Sequence, residues 1–394
     1  METAQALSAS EAVRSASGLV PELRARAAEA ERQRRLDDDL IDLLDKAGML
    51  KLRVPARHGG HEVDMRTLVA TIAELGRGDA SVAWTTAVWS ICSWLASLFP
   101  DAVQDEVFDV PGTRICGLLS PTGTAVPQDG GFLFNGRWAF NTGALHSHWN
   151  VLIAMAPAPG GDQQWPVMAI APMSDMSIID DWHTSGLRAT GSVTTVATDL
   201  FIPMERVLPL PALLSEQYAS EANAGNPIFR TPLLPTACMS VTGTALGLAA
   251  AAKEEFLRRA PERKITYTTY ERQLEAPITH LQLAEAQMRM DEAAFHAERA
   301  AAALDAKSAA GESWTVQERA LIRLDASSAC ELAMRAVEIF STASGASSIY
   351  DSAPIQRIRR DIQAINLHAI LHPNTNLELY GRVALGLEPN TVYL

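Results

Sequence analysis

A chain of 394 residues that is 47% hydrophobic and 20% charged can bury a large core and divide into two or three structural regions. Its net charge of −13 argues against nucleic acid as a partner, because displacing phosphate counterions requires clustered Lys and Arg. The four cysteines, Cys92, Cys116, Cys238 and Cys330, stand far apart without a CxxC pair, which speaks against a zinc site or a disulfide framework and for buried, reduced thiols.

In chain order, Ser17 to Met49 is rich in Ala, Leu, Arg and Glu, and Leu36, Leu40, Leu43 and Leu44 recur at helical spacing, so a helix or helix pair is expected to end near Gly48. A second helix is expected over Met65 to Leu75. A third covers Trp84 to Phe99, where Trp84, Ala87, Ile91, Trp94 and Leu98 return every three or four residues. The texture then changes. From Cys116 to Pro209, Gly and Pro punctuate short apolar or alternating runs, Phe132 to Phe134, Val151 to Ala156, Val167 to Ala171 and Val193 to Ile202, which read as strands. From about Pro232 the helical pattern returns, with Leu321, Leu324, Ser328, Leu332, Ala336 and Ile339 forming one apolar stripe. The order α, β, α divides the chain into an N-terminal helical domain (1–115), a central β domain (116–225) and a C-terminal helical bundle (226–394). The apolar run Val241 to Ala252 is too short to span a bilayer and the N-terminus lacks the pattern of a signal peptide, so no membrane partner and a cytoplasmic location are expected.

Nucleotide and hydrolase signals are missing: no GxGxxG follows a strand, and neither GxxxxGK[ST] nor GxSxG occurs. Two basic clusters, Arg357 with Arg359 and Arg360, and Arg258, Arg259, Arg263 and Lys264, read first as solvated helix faces.

Four segments carry a resemblance: SPTGTAVPQDGGFLFNGRWAFNTG (Ser120 to Gly143), WHTSGLRATGSVTTVATDLFIPMERV (Trp182 to Val207), APITHLQLAEA (Ala276 to Ala286) and GASSIYDSAPIQRIRRD (Gly345 to Asp361). In this order and spacing they resemble the acyl-CoA dehydrogenase superfamily, and more closely its branch of two-component flavin-dependent aromatic monooxygenases. The resemblance implies an α+β, mostly α fold: N-terminal helices, a central β-barrel or sandwich, and a C-terminal four-helix bundle. It implies reduced FAD as cofactor, with FMN an alternative, held between β domain and bundle. Ser120, Trp138, Asn141 and Thr142 match the flavin edge; Arg263, Gly345 and Ala346 match the pyrophosphate site, where Arg grips phosphate and Gly lets backbone approach.

A dehydrogenase of this family needs a carboxylate base, in many members about eight residues after the Arg-Asp pair. Here Arg360 and Asp361 are followed by His368 and Ala369 at that distance; Glu254 or Glu255 on an earlier helix is the remaining option. The resemblance makes His368 the active-site histidine of a monooxygenase, and imidazole suits the task because it can take the proton of a phenol or an indole N–H. His372 stands four residues on, which would put both on one helical face, but no third ligand is apparent and Pro373 is expected to end the helix, so no metal is assigned. Where related hydroxylases carry a histidine, this chain has Cys92, a smaller and less polar group that suits a bulkier ring; with Trp89 and His368 it forms the expected substrate pocket. Trp84, Trp94 and Trp138 are further candidate walls, His146 and His148 flank the entrance, and His58 and His61 receive no chemistry.

The implied reaction takes FADH2 or FMNH2 from a separate flavin reductase, forms a C4a-hydroperoxyflavin with O2, and hydroxylates a small aromatic or heteroaromatic substrate, with His368, Thr142 and Asn141 as catalytic residues. An acyl-CoA dehydrogenase and an amino-sugar N-oxygenase are the alternatives within the superfamily. A homotetramer or homodimer is implied, and the small-residue face Thr242, Ala245, Ala249 and Ala252 fits close bundle packing.

Overall fold

The computed structural model describes residues 6–161 and 163–394. The first helix, α1 (Ala9–Gln33), starts ahead of the expected Ser17 because Ser8 and Glu11 form a capping box. Three further helices are opened by aspartates. In α2 (Asp38–Lys46) Asp37 accepts the Leu40 N–H at 2.7 Å; in α3 (Met65–Gly78) Asp64 accepts the Thr67 N–H at 2.8 Å; and in α4 (Ala80–Ala96) Asp79 accepts the Val82 N–H at 2.9 Å. Each such cap contributes about 1 kcal/mol. Helix α4 is buried on almost every side, as its uniformly apolar sequence requires; Val88 alone is partly open. A short α5 (Asp101–Val107), absent from the sequence reading, follows Pro100.

Among the described residues eight strands follow: β1 (Ile115–Gly117), β2 (Gly123–Gln128), β3 (Gly131–Asn141), β4 (Trp149–Pro157), β5 (Gln164–Pro172), β6 (Ser177–Ile179), β7 (Val193–Pro203) and β8 (Val207–Pro209). They form one mixed sheet in the order β6-β7-β3-β2-β4-β5-β8, with β1 parallel to β4. Its inner face gathers Phe134, Trp138, Leu152, Ala154, Val167, Ala169 and Ala197 into a core of its own. The link from β6 to β7, residues 180–192, leaves the sheet and docks on helices at both ends of the chain.

After α6 (Leu210–Leu214) come α7 (Leu233–Arg259), α8 (Pro277–Ala310), α9 (Val316–Ala343), α10 (Pro354–Asn366) and α11 (Pro373–Ala384). Helix α7 is far longer than its apolar run and would pass for a membrane span by length and hydropathy, but its most apolar window is 89% buried inside the protein, where Thr242, Ala245, Ala249 and Ala252 pack against neighbours. It is the central core helix. The stripe expected on α9 is shifted: the deepest face is Ile322, Ala326, Ala329, Ala333, Val337 and Phe340, while Leu321, Leu324, Ser328, Leu332 and Ile339 are only partly covered. Alanines win the inner face because α7 and α8 approach too closely for leucine.

Candidate functional site

The end of β3 lies against α4. Gly143 follows the strand with φ 72°, and a side chain there would run into the Trp89 indole, so the turn needs glycine. Trp138, expected at the flavin edge, is fully buried within the sheet: its ring fills the space over Gly123 and Gly136 and its N–H donates to the Ile153 carbonyl at 2.8 Å. It is a core residue. Asn141 also points inward, donating to Asn150 at 3.1 Å and Thr195 at 3.0 Å, while its own Oδ1 has no donor among the described residues. Its side chain therefore braces the strand end and does not reach out of the sheet, contrary to the catalytic expectation. A bulge between Trp138 and Asn141 instead turns out Phe140, a non-glycine residue at φ 65° that is 71% exposed and meets Trp182 edge to face at 5.6 Å.

Thr142 has a different set of partners. Its hydroxyl lies 2.8 Å from Ser192 Oγ and receives the Trp84 indole N–H at 3.3 Å. The other side of that indole meets the His368 ring, edge to face, with centroids 5.3 Å apart. Thr142 from the sheet and His368 from the C-terminal helices thus share one tryptophan. Trp84 had been read only as wall, and Ser192 had not been singled out although it lies in the quoted GSVTTV run.

His368 is not in a helix. Helix α10 stops at Asn366, whose amide N–H group turns back onto the Cys330 and Ile362 carbonyls, and Pro373 opens α11 as its first residue where it had been expected to close a helix. The two histidines therefore share no helical face; His368 sits in the linking turn and His372 caps α11. His368 is open to solvent yet surrounded by enough protein to lose much of its hydration, and this desolvation lowers its pKa to about 4. At neutral pH the ring is uncharged.

Trp89 and Cys92, expected to line the substrate pocket, are each 2% exposed. The Trp89 N–H donates to Ser147 at 3.1 Å and Arg114 lies over its ring; Cys92 packs in a core with Trp94 and Phe99, and burial pushes its thiol pKa up. They back the wall. Val88, one turn from Trp84 and one from Cys92, presents the open surface. His146 and His148 bracket Arg114: the His146 carbonyl accepts its Nε–H at 2.6 Å and His148 Nδ1 accepts its backbone N–H at 3.1 Å.

A second cluster contains Arg263 and Gly345. Gly345 adopts φ 60° and ψ −167°, a conformation other residues avoid, and the Arg263 guanidinium packs directly over it. Arg263 donates to the Ala343 carbonyl at 2.7 Å and to Gln273 at 3.1 Å; Arg259 donates to Ser347 at 3.0 Å, one residue beyond Ala346. Neither arginine has a carboxylate within 4 Å among the described residues, and burial, together with its neighbour Arg259, lowers the pKa of Arg263. Two cations without an anion beside a bare backbone turn fit a pyrophosphate. No hydrogen bond joins this cluster to Thr142 or His368 among the described residues. Ser120 is exposed on the loop from β1 to β2.

The 180–192 link is held from several sides. Arg34 and Arg35 pair with Asp180, and the buried Asp361 of α10 accepts the Leu187 N–H at 2.7 Å, supporting a leucine at φ 51°. Burial, and then the Asp79 carboxylate, raise the pKa of Asp361 to about 7. The remaining basic residues are largely paired: Arg359 with Glu338, Arg360 with Glu31, Arg258 with Glu255, Lys264 with Glu271. Glu254 is bound by Arg24 and Arg77, so both glutamates considered as a dehydrogenase base are engaged in ion pairs.

Comparison with known proteins agrees with this architecture. Residues 11–107 match the acyl-CoA dehydrogenase N-terminal domain and residues 239–373 the acyl-CoA dehydrogenase C-terminal domain. The FADH2-dependent resorcinol hydroxylase, oxygenase component, of Rhizobium sp. is 30% identical over 390 residues, covering 95% of this chain and 94% of that protein. XiaF from Streptomyces sp., solved with FADH2 and glycerol, superposes with a TM-score of 0.92 at 32% identity over 98% of each chain. The HsaA monooxygenase from M. tuberculosis does so with a TM-score of 0.91 at 28% identity, over 98% of this chain and 100% of that one. Helices before and after a mixed sheet are the architecture of the acyl-CoA dehydrogenase N- and C-terminal domains that these residues match. The chain belongs to the acyl-CoA dehydrogenase superfamily, in its branch of flavin-dependent monooxygenase oxygenase components.

Proposed function

We propose that the chain, a monooxygenase that uses reduced flavin and O2 to hydroxylate an aromatic or heteroaromatic substrate, does so with His368 as the proton acceptor and Thr142 as the flavin contact. One observation carries the assignment: His368 is neutral, exposed and set against Trp84, while the two candidate carboxylate bases are bound in ion pairs. The substrate is a phenol, an indole or a larger fused ring. A separate reductase supplies the flavin, and the cytoplasm is where we place the reaction.

When bound, the reduced flavin supplies the electrons that activate O2. Every other task falls to side chains. His368 accepts the proton of the substrate O–H or N–H and raises electron density on its ring. Trp84 and Val88 form the apolar wall that keeps water from the reacting atoms. Phe140, with the partly covered Trp182 beside it, offers an open aromatic face to a planar ring. Arg263 and Arg259, with the turn at Gly345, Ala346 and Ser347, hold the pyrophosphate of FAD, which favours FAD over FMN. That no hydrogen bond joins this cluster to Thr142 among the described residues leaves room for a cofactor that bridges two subunits. On α8, Ile278, Leu281, Met288 and Phe295 form an exposed apolar stripe, which supports association of copies into a homodimer or homotetramer.

The direct test is His368→Ala. Affinity for reduced FAD should stay within about twofold while hydroxylation falls by a factor of about a hundred, the usual worth of a positioned base; unchanged product formation would remove His368 from the mechanism.

A further inference from the structure

Resting on the reading of His368 as proton acceptor, we propose that Arg323 and Asn376 are positioning residues: a hydrogen-bonded relay from α9 through α11 holds the turn that presents the His368 ring.

Residues 367–372 link α10 to α11. Leu367, His368 and Ala369 are exposed, and within this link only Leu371 is buried. The Leu371 N–H donates to the His368 carbonyl at 2.9 Å, which makes the turn rigid as a unit without fixing its place. Its place is set by polar groups from other helices. At one end Asn366 donates to the Cys330 carbonyl of α9 at 3.2 Å. At the other, the fully buried Asn376 of α11 donates to the Ile370 carbonyl at 3.0 Å and to the His372 carbonyl at 3.2 Å. The Cys238 thiol of α7 reaches the same Ile370 oxygen at 3.5 Å.

Behind Asn376 stands Arg323 of α9, whose Nε–H donates to Asn376 Oδ1 at 3.0 Å. A guanidinium has only protons to give, so the Asn376 atom that faces it must be oxygen, and both amide protons are left for the turn. Arg323 thereby fixes which way round the amide lies. Turned over, Asn376 would set its oxygen against two carbonyl oxygens and release them. Arg323 is itself 4% exposed, is held on its other side by the Tyr393 carbonyl, and pairs with no carboxylate among the described residues. Burying a guanidinium without an anion is costly, and an apolar side chain would fill the same space without that penalty. What the cation supplies is the orientation of one amide, and through it the location of a base that must meet the substrate proton within hydrogen-bond reach.

The test uses two side chains that follow the path of Arg323 as far as Nε. Arg323→Gln places an amide nitrogen there and keeps the bond to Asn376 without the charge; Arg323→Met places a methyl there and loses both. Single-turnover hydroxylation of resorcinol or indole with chemically reduced FAD gives a limiting rate and a half-saturating substrate concentration, and urea unfolding checks that each variant is folded. NMR gives the titration of His368 without any cofactor. Arg323→Met should lower the limiting rate by about tenfold to a hundredfold and leave half-saturation within about twofold, as expected for a base displaced by up to about 1 Å. Its His368 pKa should move up from about 4 toward 6.5 as the turn gains water. Arg323→Gln should stay within about twofold of the wild-type rate and keep the low pKa, because the bond to Asn376 survives. Equal losses in the two variants, or an Arg323→Met protein as active as wild type, would overturn the proposal. With probes that the wild type does not hydroxylate, the titration decides: the same His368 pKa in both variants overturns it. If Arg323→Met does not fold, Asn376→Asp takes its place, since it keeps an oxygen for Arg323 and gives the turn no proton; an unchanged rate there has the same meaning. A His368→Ala protein as active as wild type would remove the proton-acceptor reading first, and the positioning role with it.

Discussion

Replacing Asp361 by Asn should stabilise the protein above neutral pH and remove a pH dependence that the wild type carries. Asp361 is buried beside the Asp79 carboxylate, and its pKa is raised from an ordinary 3.8 to about 7. An acid raised in this way costs the folded state nothing at pH values below the unfolded pKa. The penalty grows as pH climbs through the interval and is complete above the folded pKa. At pH 8 it amounts to at most roughly 4 kcal/mol, and between pH 5 and 8 the wild type should lose roughly 2 to 3 kcal/mol from this source. Arg357 offsets part of the charge, Glu31 adds to it, and the proton belongs to the Asp79–Asp361 pair, so the upper figure is a ceiling. Asn keeps an oxygen for the Leu187 N–H and carries no charge to face Asp79. Urea unfolding of both proteins at several pH values and equal concentration gives the difference; curves that stay parallel from pH 5 to 8 would refute the reasoning.

Other consequences can be checked singly. Because desolvation holds His368 near 4, hydroxylation should be flat from pH 8 down to about 5 and fall only as the ring protonates near pH 4; a break near 6.5 in the pH–rate profile would mean that the ring is hydrated in the working enzyme. Gly345→Ala places a side chain against the Arg263 guanidinium at a left-handed φ, and should weaken FAD binding, by calorimetry, at least about tenfold, through roughly 1–3 kcal/mol of backbone strain alone. Phe295→Asp on the exposed face of α8 should shift light scattering toward smaller species without moving FAD contacts within one subunit; an unchanged mass would place the association surface elsewhere.

Much of the fold was legible because its signals are local. Pro and Gly clusters around the strands and long 3.6-residue periodicities mark where each class of element lies. Short pieces escaped: β1, β6 and β8 span three residues each, too few for an alternation to register. On α9 the reading followed leucine, whereas close helix packing put alanine inside. For the candidate site, His368, Thr142, Arg263 and Gly345 are proposed by resemblance, and their surroundings depend on tertiary contacts. Nothing local distinguishes Trp138, enclosed by two glycines, from Trp84, which links Thr142 to His368. Likewise Cys92 and Val88 stand one turn apart on the same side of α4, and only packing decides that Cys92 is enclosed while Val88 is partly open. Pro373 was read as a stop when its place after an extended residue made it a start.

The central claim is that this chain transfers an oxygen atom from O2 to an aromatic ring with reduced flavin supplied from outside. Purified chain, chemically reduced FAD and isotope-labelled O2 can be mixed with resorcinol or indole as probe, without any reductase, and the product analysed by mass spectrometry. One labelled oxygen atom in the product, absent from His368→Ala, is the expected result. Product labelled from water, or consumption of a thioester probe with reduction of oxidised FAD and no use of O2, would contradict it.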